Sequence, residues 1–377
     1  MSDLLKKIYN VKTENDTVKK SFLFGVLKTK YFTRKLNYEV RFCGIVIFKT
    51  KINKGYEKFY LFGIPIFIQN TRHKLYNAIL NKIDENYTDI YINFNCSGET
   101  YLFLSYLNPG SKCLLFIATK KYHIDLVHMM HPEIECVYIP DILPLRGIDN
   151  IYKEKYKGRT FYNILPFKHF IKLENDLRRG INLHYCEEIC KTMGVNYSKK
   201  AGMPFISEAV KRSAIKKAHI IGLNLSKFIF ICPESHSNKK LSAAFWNNIT
   251  EILYSNNYDV FINALELNAA YGIGKTCFLN FEEAYYLASL SKGIIGLRSG
   301  FMEPLTSINN MPVVCLYTDF KDRGLLHSMP SDIIKKGFSL KKLPNAVESN
   351  IFEYNMEKTD ILPEILNNIL SDLKLRG

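Results

Sequence analysis

The sequence lacks several features that would assign it to a well-defined class. No apolar run reaches the length of a membrane span, and no apolar segment follows the first lysines as a secretory signal would require. None of the nine cysteines forms a Cys-x-x-Cys pair, the histidines show no metal-ligand spacing, and there is no Walker signature. We therefore expect a cytoplasmic protein with no metal site and no cofactor, whose cysteines are small buried hydrophobic residues.

Positive charge is present in excess and is concentrated near the N-terminus. The formal net charge is +15, and residues 1–70 hold 14 Lys/Arg against 5 Asp/Glu, a net of +9. More than half of the excess thus lies in less than a fifth of the chain. This concentration predicts an acidic partner surface, either anionic lipid headgroups at the inner membrane face or nucleic acid.

The same basic segment contains a repeated pattern. Gly25, Gly44 and Gly63 are spaced 19 residues apart, each with aromatic and β-branched neighbours and a basic or polar continuation. The pattern predicts short strands with a turn or bulge at each glycine. Two interpretations remain open: a small β appendage that covers an edge of the main fold, or a basic and aromatic surface that docks at a membrane.

From residue 71 the pattern changes to alternating strands and helices. The first half has predicted strands at 89–94, 113–118 and 135–140, with helices at 75–83, 101–106 and 122–130. Residues 150–215 are predicted to be mostly helical. The second half has predicted strands at 228–232, 259–263, 293–297 and 313–317, with helices at 243–254 and 361–375.

This pattern predicts an α/β protein with two facing Rossmann-like domains and a small β-rich extension. The expected parts are a basic β-repeat extension at 1–70, a first Rossmann-like domain at 71–215, a second Rossmann-like domain at 216–345 and a helical tail at 346–377. Parallel sheets bind ligands beyond the C-terminal ends of their strands, so both sets of loops should line one cleft.

In the first half, Glu99 follows the first predicted strand. A carboxylate there would point into the cleft, where it could take a proton from an acceptor hydroxyl, with Ser97, Gly98 and Thr100 on the acceptor side. The alternative is that Glu99 is an acid in the first turn of a helix, where it interacts favourably with the helix dipole.

In the second half, a polar loop follows the strand at 228–232. Hydroxyl, backbone N–H and ammonium groups suit a diphosphate, and the candidates are Pro233, Ser235, His236, Ser237, Asn238, Lys239 and Lys240. Lys240 could also neutralise a departing nucleoside diphosphate without a metal. The alternative is a solvated polar turn that caps the next helix.

Two further strand ends carry candidate nucleotide-sugar ligands. Asn263 and Glu266 follow the strand at 259–263, and a carboxylate at such a position commonly binds ribose hydroxyls. After the strand at 293–297 come Arg298, Ser299, Gly300 and Glu303. A Ser-Gly turn that opens a helix presents N–H groups to an anion, and Arg298 could bind phosphate bidentately, unless it is a buried structural arginine.

These residues resemble the motifs of GT-B glycosyltransferases, above all the bacterial ADP-heptose heptosyltransferase group, over residues 88–320. Gly98-Glu99 is similar to the Gly-Asp pair of that family. Further similar segments are Cys232-Pro233-Glu234-Ser235, Lys240 with Trp246, Glu266, and Phe281-Glu282-Glu283-Ala284. The last motif of the family, Asp-Thr-Gly-Leu-x-His, corresponds to residues 298–303, where only the glycine is retained and the histidine is absent.

The resemblance implies metal-independent transfer of a hexosyl or heptosyl group, with inversion. The donor would be a nucleotide sugar, bound by the domain at 216–345, and the acceptor a capsule or lipo-oligosaccharide glycan, bound by the domain at 71–215. It also implies that Glu99 is the base, Lys240 assists the leaving group and Glu266 binds the ribose. Two other functions remain open. A non-hydrolysing nucleotide-sugar 2-epimerase carries a Ser-Gly-Gly-x-x-Glu-Glu motif that loosely resembles residues 299–303, and a non-catalytic basic module would bind nucleic acid.

Overall fold

The computed structural model describes most of the chain in three sheets and ten helices. The described residues are 9–14, 17–22, 27–32, 37–42, 45–53, 56–110, 113–145, 152–164, 167–198, 200–264, 273–320, 329–356, 368–369 and 371.

The basic N-terminal segment folds as an antiparallel sheet in which each strand pairs with the next along the chain. Its strands are β1 (Tyr9–Glu14), β2 (Thr17–Phe22), β3 (Leu27–Phe32), β4 (Asn37–Phe42), β5 (Ile45–Asn53), β6 (Tyr56–Leu61) and β7 (Ile64–Asn70). Gly63 lies in the two-residue turn between β6 and β7 with φ +83°, which confirms the turn predicted there. Gly25 and Gly44 lie outside the described residues. The register shifts fall at Val40/Arg41 and Phe59/Tyr60 and not at the glycines.

The first α/β half contains a five-stranded sheet in the order β10-β9-β8-β12-β11. Its strands are β8 (Asp89–Asn93), β9 (Leu114–Ala118), β10 (Glu135–Tyr138), β11 (Lys153–Tyr156) and β12 (Arg159–Asn163). All neighbours are parallel except β11 and β12. The helices of this half are α1 (Thr71–Leu80), α2 (Ser97–Tyr106), α3 (Lys121–Met130), α4 (Phe167–Arg178), α5 (Tyr185–Met193) and α6 (Glu208–Ile220).

The hairpin formed by β11 and β12 corrects the prediction that residues 150–215 are mostly helical. Its turn, Lys157-Gly158, has positive φ at both residues, as a two-residue hairpin turn requires. Of the two hairpin strands, β12 pairs with the central strand β8. The charged strand β11 pairs with β12 and lies at the edge of the sheet. A half-exposed edge strand lacks the continuous apolar run by which the buried strands were recognised.

The second α/β half contains a fully parallel sheet in the order β14-β13-β15-β16-β17. Its strands are β13 (Phe228–Cys232), β14 (Asp259–Ile262), β15 (Gly293–Leu297), β16 (Val313–Tyr317) and β17 (Ile351–Asn355). The helices are α7 (Ala243–Ser255), α8 (Phe281–Ser289), α9 (Met302–Leu305) and α10 (Ser331–Phe338), and short 3-10 helices lie at Pro140–Leu145, Leu340–Lys342 and Glu348–Asn350. Strand β17 belongs to the segment predicted as a helical tail, which is a second correction. The predicted helix 361–375 lies outside the described residues, apart from the helical residues 368, 369 and 371.

The two α/β halves share a hydrophobic core. One cluster of buried side chains contains Tyr101 and Phe116 of the first half together with Phe230 and Tyr317 of the second. Burial of this much apolar surface holds the halves against each other. The structure thus confirms two parallel-sheet α/β domains, and the loops after β8 and β15 meet where the halves join.

Candidate functional site

The candidate residues of the first half form the first turn of α2. The helix begins at Ser97, four residues before the predicted start at Tyr101. The amide of Asn93 donates to the Thr100 hydroxyl at 2.7 Å, and that hydroxyl donates to the Cys96 carbonyl at 2.8 Å, so a buried hydrogen-bond chain ties this turn to the end of β8. The half-buried Glu99 is therefore an acid in a first helical turn, as one of the two interpretations required, at the C-terminal end of the central strand.

The candidate residues of the second half form a turn after β15, and Arg298 holds it in place. The Arg298 side chain is only 6% exposed. Its guanidinium donates to the Phe338 carbonyl at 2.9 Å, to the Ser299 carbonyl at 2.7 Å and to the Tyr185 hydroxyl at 3.2 Å. A fourth bond, at 2.9 Å, goes to Oε1 of Glu303. Arg298 thus joins this turn to α5 and to the end of α10, as a structural arginine would.

The two turns are in direct contact, and glycine makes the contact possible. A Cβ atom added to Gly98 would lie 2.2 Å from Oε1 of Glu303. A Cβ atom added to Gly300 would lie 2.5 Å from the backbone nitrogen of Gly98 and 2.5 Å from the Ser97 hydroxyl oxygen. Neither position has room for a side chain unless its neighbours move. The structure therefore brings together the candidate residues that follow β8 and β15.

Glu303 is a buried carboxyl group at this contact. Its Oε2 atom is buried and has no hydrogen-bond partner among the described residues. The pKa of Glu303 is raised to about 7: burial is the main cause, Arg298 opposes the rise, and the nearby Glu99 adds to it. The site thus contains two neighbouring carboxyl groups, the half-buried Glu99 and the buried Glu303.

A second pair of carboxyl groups lies where α3 of the first half meets α8 of the second. The backbone N–H of Phe281 donates to Oδ2 of Asp125 at 3.0 Å. Burial raises the pKa of Asp125, and burial together with the charge of Asp125 raises the pKa of Glu282 to about 7. The junction between the halves therefore becomes less favourable as these groups lose their protons.

The loop after β13 is tied to the exit of the neighbouring strand β16. The Lys239 ammonium pairs with Asp319 at 2.6 Å, and the Thr318 hydroxyl donates to the Lys239 carbonyl at 2.7 Å. The buried Ser235 hydroxyl accepts from the backbone N–H of Asn238 at 3.3 Å. The Asn238 side chain is 1% exposed, and both of its amide atoms lack a hydrogen-bond partner among the described residues. An unsatisfied buried amide is costly, which marks this loop as a place where a ligand could supply partners.

The other predicted nucleotide-sugar residues of this half differ in exposure. Pro233 is buried, Ser237 is half-buried, and His236 and Lys240 are exposed. Asn263 follows β14 and donates its backbone N–H to the Ile231 carbonyl at 2.8 Å. Glu266 lies outside the described residues. Because β14, β13 and β15 are adjacent and parallel, the loops after them leave the same edge of the sheet.

Two residues at the junction were not found by sequence reasoning. Lys120 lies two residues after the end of β9, and its ammonium donates to the Asn95 carbonyl at 2.7 Å, close to the start of α2. The strand-end rule that selected Glu99 would also have selected Lys120. Tyr185 lies at the start of α5, where its hydroxyl accepts a hydrogen bond from Arg298 and its ring faces the Arg298 guanidinium. Nothing in the local sequence of Tyr185 indicates these contacts. Among the described residues, no three His, Cys, Asp or Glu side chains form a group suited to a metal ion.

Comparisons with known proteins give fold-level likeness only. No family model matches the sequence, and no curated protein matches it. The ADP-heptose lipopolysaccharide heptosyltransferase II of Escherichia coli is 12% identical, with a TM-score of 0.43, over 76% of this chain and 99% of that one. A family 9 glycosyl transferase from Veillonella parvula is 11% identical, with a TM-score of 0.47, over 78% and 99%. The E. coli heptosyltransferase WaaC is 9% identical, with a TM-score of 0.43, over 77% and 100%.

Proposed function

We propose that the protein is a glycosyltransferase that moves a sugar from a nucleotide-sugar donor to an acceptor in a surface glycan, either capsule or lipo-oligosaccharide. The observation that carries the proposal is the contact between the turn after β8, with Glu99, and the Ser299-Gly300 turn after β15. A proton acceptor on one α/β half and an anion-binding turn on the other are the two parts that direct sugar transfer needs.

The reaction is a direct displacement at the anomeric carbon. The acceptor hydroxyl loses its proton to Glu99 while its oxygen bonds to that carbon. The bond from the same carbon to the diphosphate oxygen breaks, and the nucleoside diphosphate leaves with the electron pair. Attack from the face opposite the leaving group inverts the configuration, and no metal takes part.

The diphosphate would be held by side chains and N–H groups of the loops after β13 and β15. Ser235, Ser237, Asn238 and Lys240 would contribute from the first loop and Ser299 and Gly300 from the second, with Asn263 and Glu266 at the nucleoside. For Arg298 the contacts favour a positioning role, because its guanidinium donors are directed to protein acceptors. Since Gly98 and Gly300 touch, we expect the two turns to separate when the donor enters.

The acceptor would be presented at a membrane surface. None of the described helices is both long and apolar enough to cross a bilayer. The net charge of +9 in the first 70 residues supports a peripheral contact with anionic headgroups, at about 1 kcal/mol for each Lys or Arg near the surface.

The first experiment tests the nucleotide site. Thermal unfolding is followed with ADP, GDP, UDP and CDP, since a ligand that binds the folded protein raises its apparent stability. Purified protein is then assayed with a panel of nucleotide sugars and glycan acceptors. Stabilisation by one nucleotide, together with sugar transfer, is the expected result. If no nucleotide stabilises the protein and no sugar is turned over, the proposal fails.

The second experiment separates catalysis by Glu99 from its effect on the helix. Glu99→Gln should lower kcat by about 10²–10⁴-fold, the range typical of a lost general base, and leave nucleotide stabilisation unchanged. Glu208→Gln is the matched control, because Glu208 is also an acid in a first helical turn, at the exposed start of α6. Both variants lose a dipole interaction, so an equal effect on kcat would show that Glu99 is not the base.

A further inference from the structure

The strand ends beside the repeat glycines lie together at one end of the N-terminal sheet. Strands alternate in direction, so the ends of β2, β4 and β6 and the starts of β3, β5 and β7 lie at one end of the sheet, here called the repeat edge. The register pairs that close this edge are all apolar: Phe22 with Leu27, Phe42 with Ile45, and Leu61 with Ile64. The closing pairs at the opposite end each contain a polar residue: Glu14 with Thr17, Phe32 with Asn37, and Asn53 with Tyr56.

The side chains described at the repeat edge are exposed to solvent. Ile45, Phe62 and Ile64 are 66%, 67% and 66% exposed, and Leu61 is 42% exposed. A hydrogen bond ties the Phe62 turn to strand β5, since the backbone N–H of Phe62 donates to the Ile47 carbonyl at 2.9 Å. Neighbouring closing pairs are two strands apart, about 10 Å, so the described strand ends form a row of closely spaced apolar pairs. Contiguous exposed apolar surface marks an interaction site.

The turn at Phe62 places an aromatic residue where turn chemistry disfavours it. Phe62 has φ +47° and Gly63 has φ +83°, the positive values of a two-residue hairpin turn that prefers Asn-Gly or Asp-Gly. A bulky residue at positive φ carries a steric cost. An aromatic side chain held at the tip of an exposed turn despite this cost indicates a role outside the folded chain.

Cationic positions lie just behind the apolar row. Lys28 and Arg41 face each other in the register, one position in from the closing pairs at the repeat edge. Further back, a row of paired positions crosses the sheet and carries Lys12, Lys19, Lys30, Glu39 and Lys49. Glu39 forms ion pairs with Arg41 at 2.5 Å and with Lys49 at 3.7 Å, so one carboxylate offsets part of the positive charge and the two rows remain cationic in sum. A partner that suits this edge must offer an apolar interior directly beneath an anionic surface. A bilayer with anionic lipids has this layering, whereas nucleic acid has no apolar layer for the tips.

We propose that the repeat edge inserts its apolar turns between the headgroups of an anionic bilayer, with the cationic positions behind it close to the lipid phosphates. This surface specifies the peripheral contact suggested above and does not depend on the transfer chemistry. It also assigns a purpose to the repeat, because each 19-residue unit adds one more apolar closing pair to the same edge.

Flotation of the full chain with lipid vesicles tests the proposal. The wild-type protein should bind vesicles of phosphatidylcholine mixed with phosphatidylglycerol and bind poorly to phosphatidylcholine alone. The test variant combines Phe62→Asn, Ile45→Thr and Ile64→Thr. Asn at position 62 suits the turn and Thr suits a strand, so the sheet should fold as well as before while vesicle binding falls about tenfold or more. The matched control combines Phe278→Asn and Ile273→Thr, at residues 64% and 65% exposed in the second half.

Several results would overturn the proposal. One is vesicle binding by the test variant that equals that of the wild type, and another is an equal loss of binding in the test and control variants. The others are wild-type binding that is the same with and without phosphatidylglycerol, and no wild-type binding to either kind of vesicle. If the test variant instead lowered the native mass measured by light scattering and kept its vesicle binding, the edge would be a contact between copies of the chain. Thermal stabilisation by nucleoside diphosphates, measured on the same proteins, reports on the transferase proposal separately.

Discussion

Replacing Gly300 by alanine tests whether the two α/β halves meet as described. The added Cβ atom would lie 2.5 Å from the backbone nitrogen of Gly98 and 2.5 Å from the Ser97 hydroxyl oxygen. A backbone atom cannot move aside as the end of a flexible side chain can. The turn after β15 must therefore shift away from α2, or both segments must distort.

Whether alanine lowers or raises the free energy of unfolding tells a close contact from open space. Overpacking of this kind costs about 1–3 kcal/mol, and each kcal/mol lowers Tm by about 2–4 °C in a domain of 150–250 residues. Where the added Cβ meets no other atom, alanine is expected to stabilise the protein by about 0.4–1 kcal/mol, because it reduces the conformational entropy of the unfolded chain. Gly110 is such a position, with no atom within 4 Å of the added Cβ, so Gly110→Ala is the control.

Urea unfolding of the two variants and the wild type measures the difference. Gly300→Ala should lower the free energy of unfolding, and Gly110→Ala should leave it unchanged or raise it. Adding Ser97→Ala removes one of the two close atoms, so the double variant should recover part of the loss. Stabilisation by Gly300→Ala would refute the contact between the halves and, with it, the geometry on which the proposed reaction depends.

Two further predictions concern buried ionisable groups. The pKa of Glu282 is raised to about 7, above the value of about 4.3 for an exposed glutamate. The folded state therefore binds this proton more tightly than the unfolded chain does, and the stability that this proton contributes is lost as the pH rises through 7. Glutamine carries no charge at any pH, so the Tm of Glu282→Gln relative to that of the wild type should rise between about pH 5 and about pH 8. A Tm difference that does not change with pH would contradict the burial of Glu282. His184 caps α5 by accepting from the Cys186 N–H at 3.3 Å and donates to the Ser339 carbonyl at 3.0 Å. His184→Ala should cost about 1–2 kcal/mol in urea unfolding and His184→Asn, which keeps a cap acceptor, clearly less; equal losses would exclude the capping role.

The elements that could be predicted from the sequence are the ones that are buried on both faces. Strands β13, β15 and β16 are continuous apolar runs, and residue patterns identified them within a residue of their observed ends. Strands β11, β12 and β17 were missed because half-exposed strands mix Lys, Glu and Tyr with apolar residues. The early start of α2 was missed because Ser97-Gly98 is typical of a loop, while the bond from Asn93 to Thr100 depends on the folded chain.

The positions of several candidate residues at strand ends could be predicted, whereas the contacts of Arg298 could not. Placing Glu99, Ser235 and Gly300 at the ends of parallel strands required only local patterns and the rule that ligands bind there. The partners of Arg298 could not be deduced, because its neighbours Tyr185 and Phe338 come from helices distant in sequence. In the folded chain the buried Arg298 holds its turn in place through protein acceptors, while the phosphate contact stays a prediction.

Sequence alone determined where the fully buried strands run, where their polar ends fall and where the positive charge is concentrated, since these follow from local composition and spacing. Tertiary structure decided that Gly98 and Gly300 touch, that the pKa of Glu303 is raised to about 7 and that the described strand ends beside the repeat glycines share one edge. The physical reason is the same in each case: contact, burial and strand direction depend on segments that are far apart in the chain and meet only when it folds.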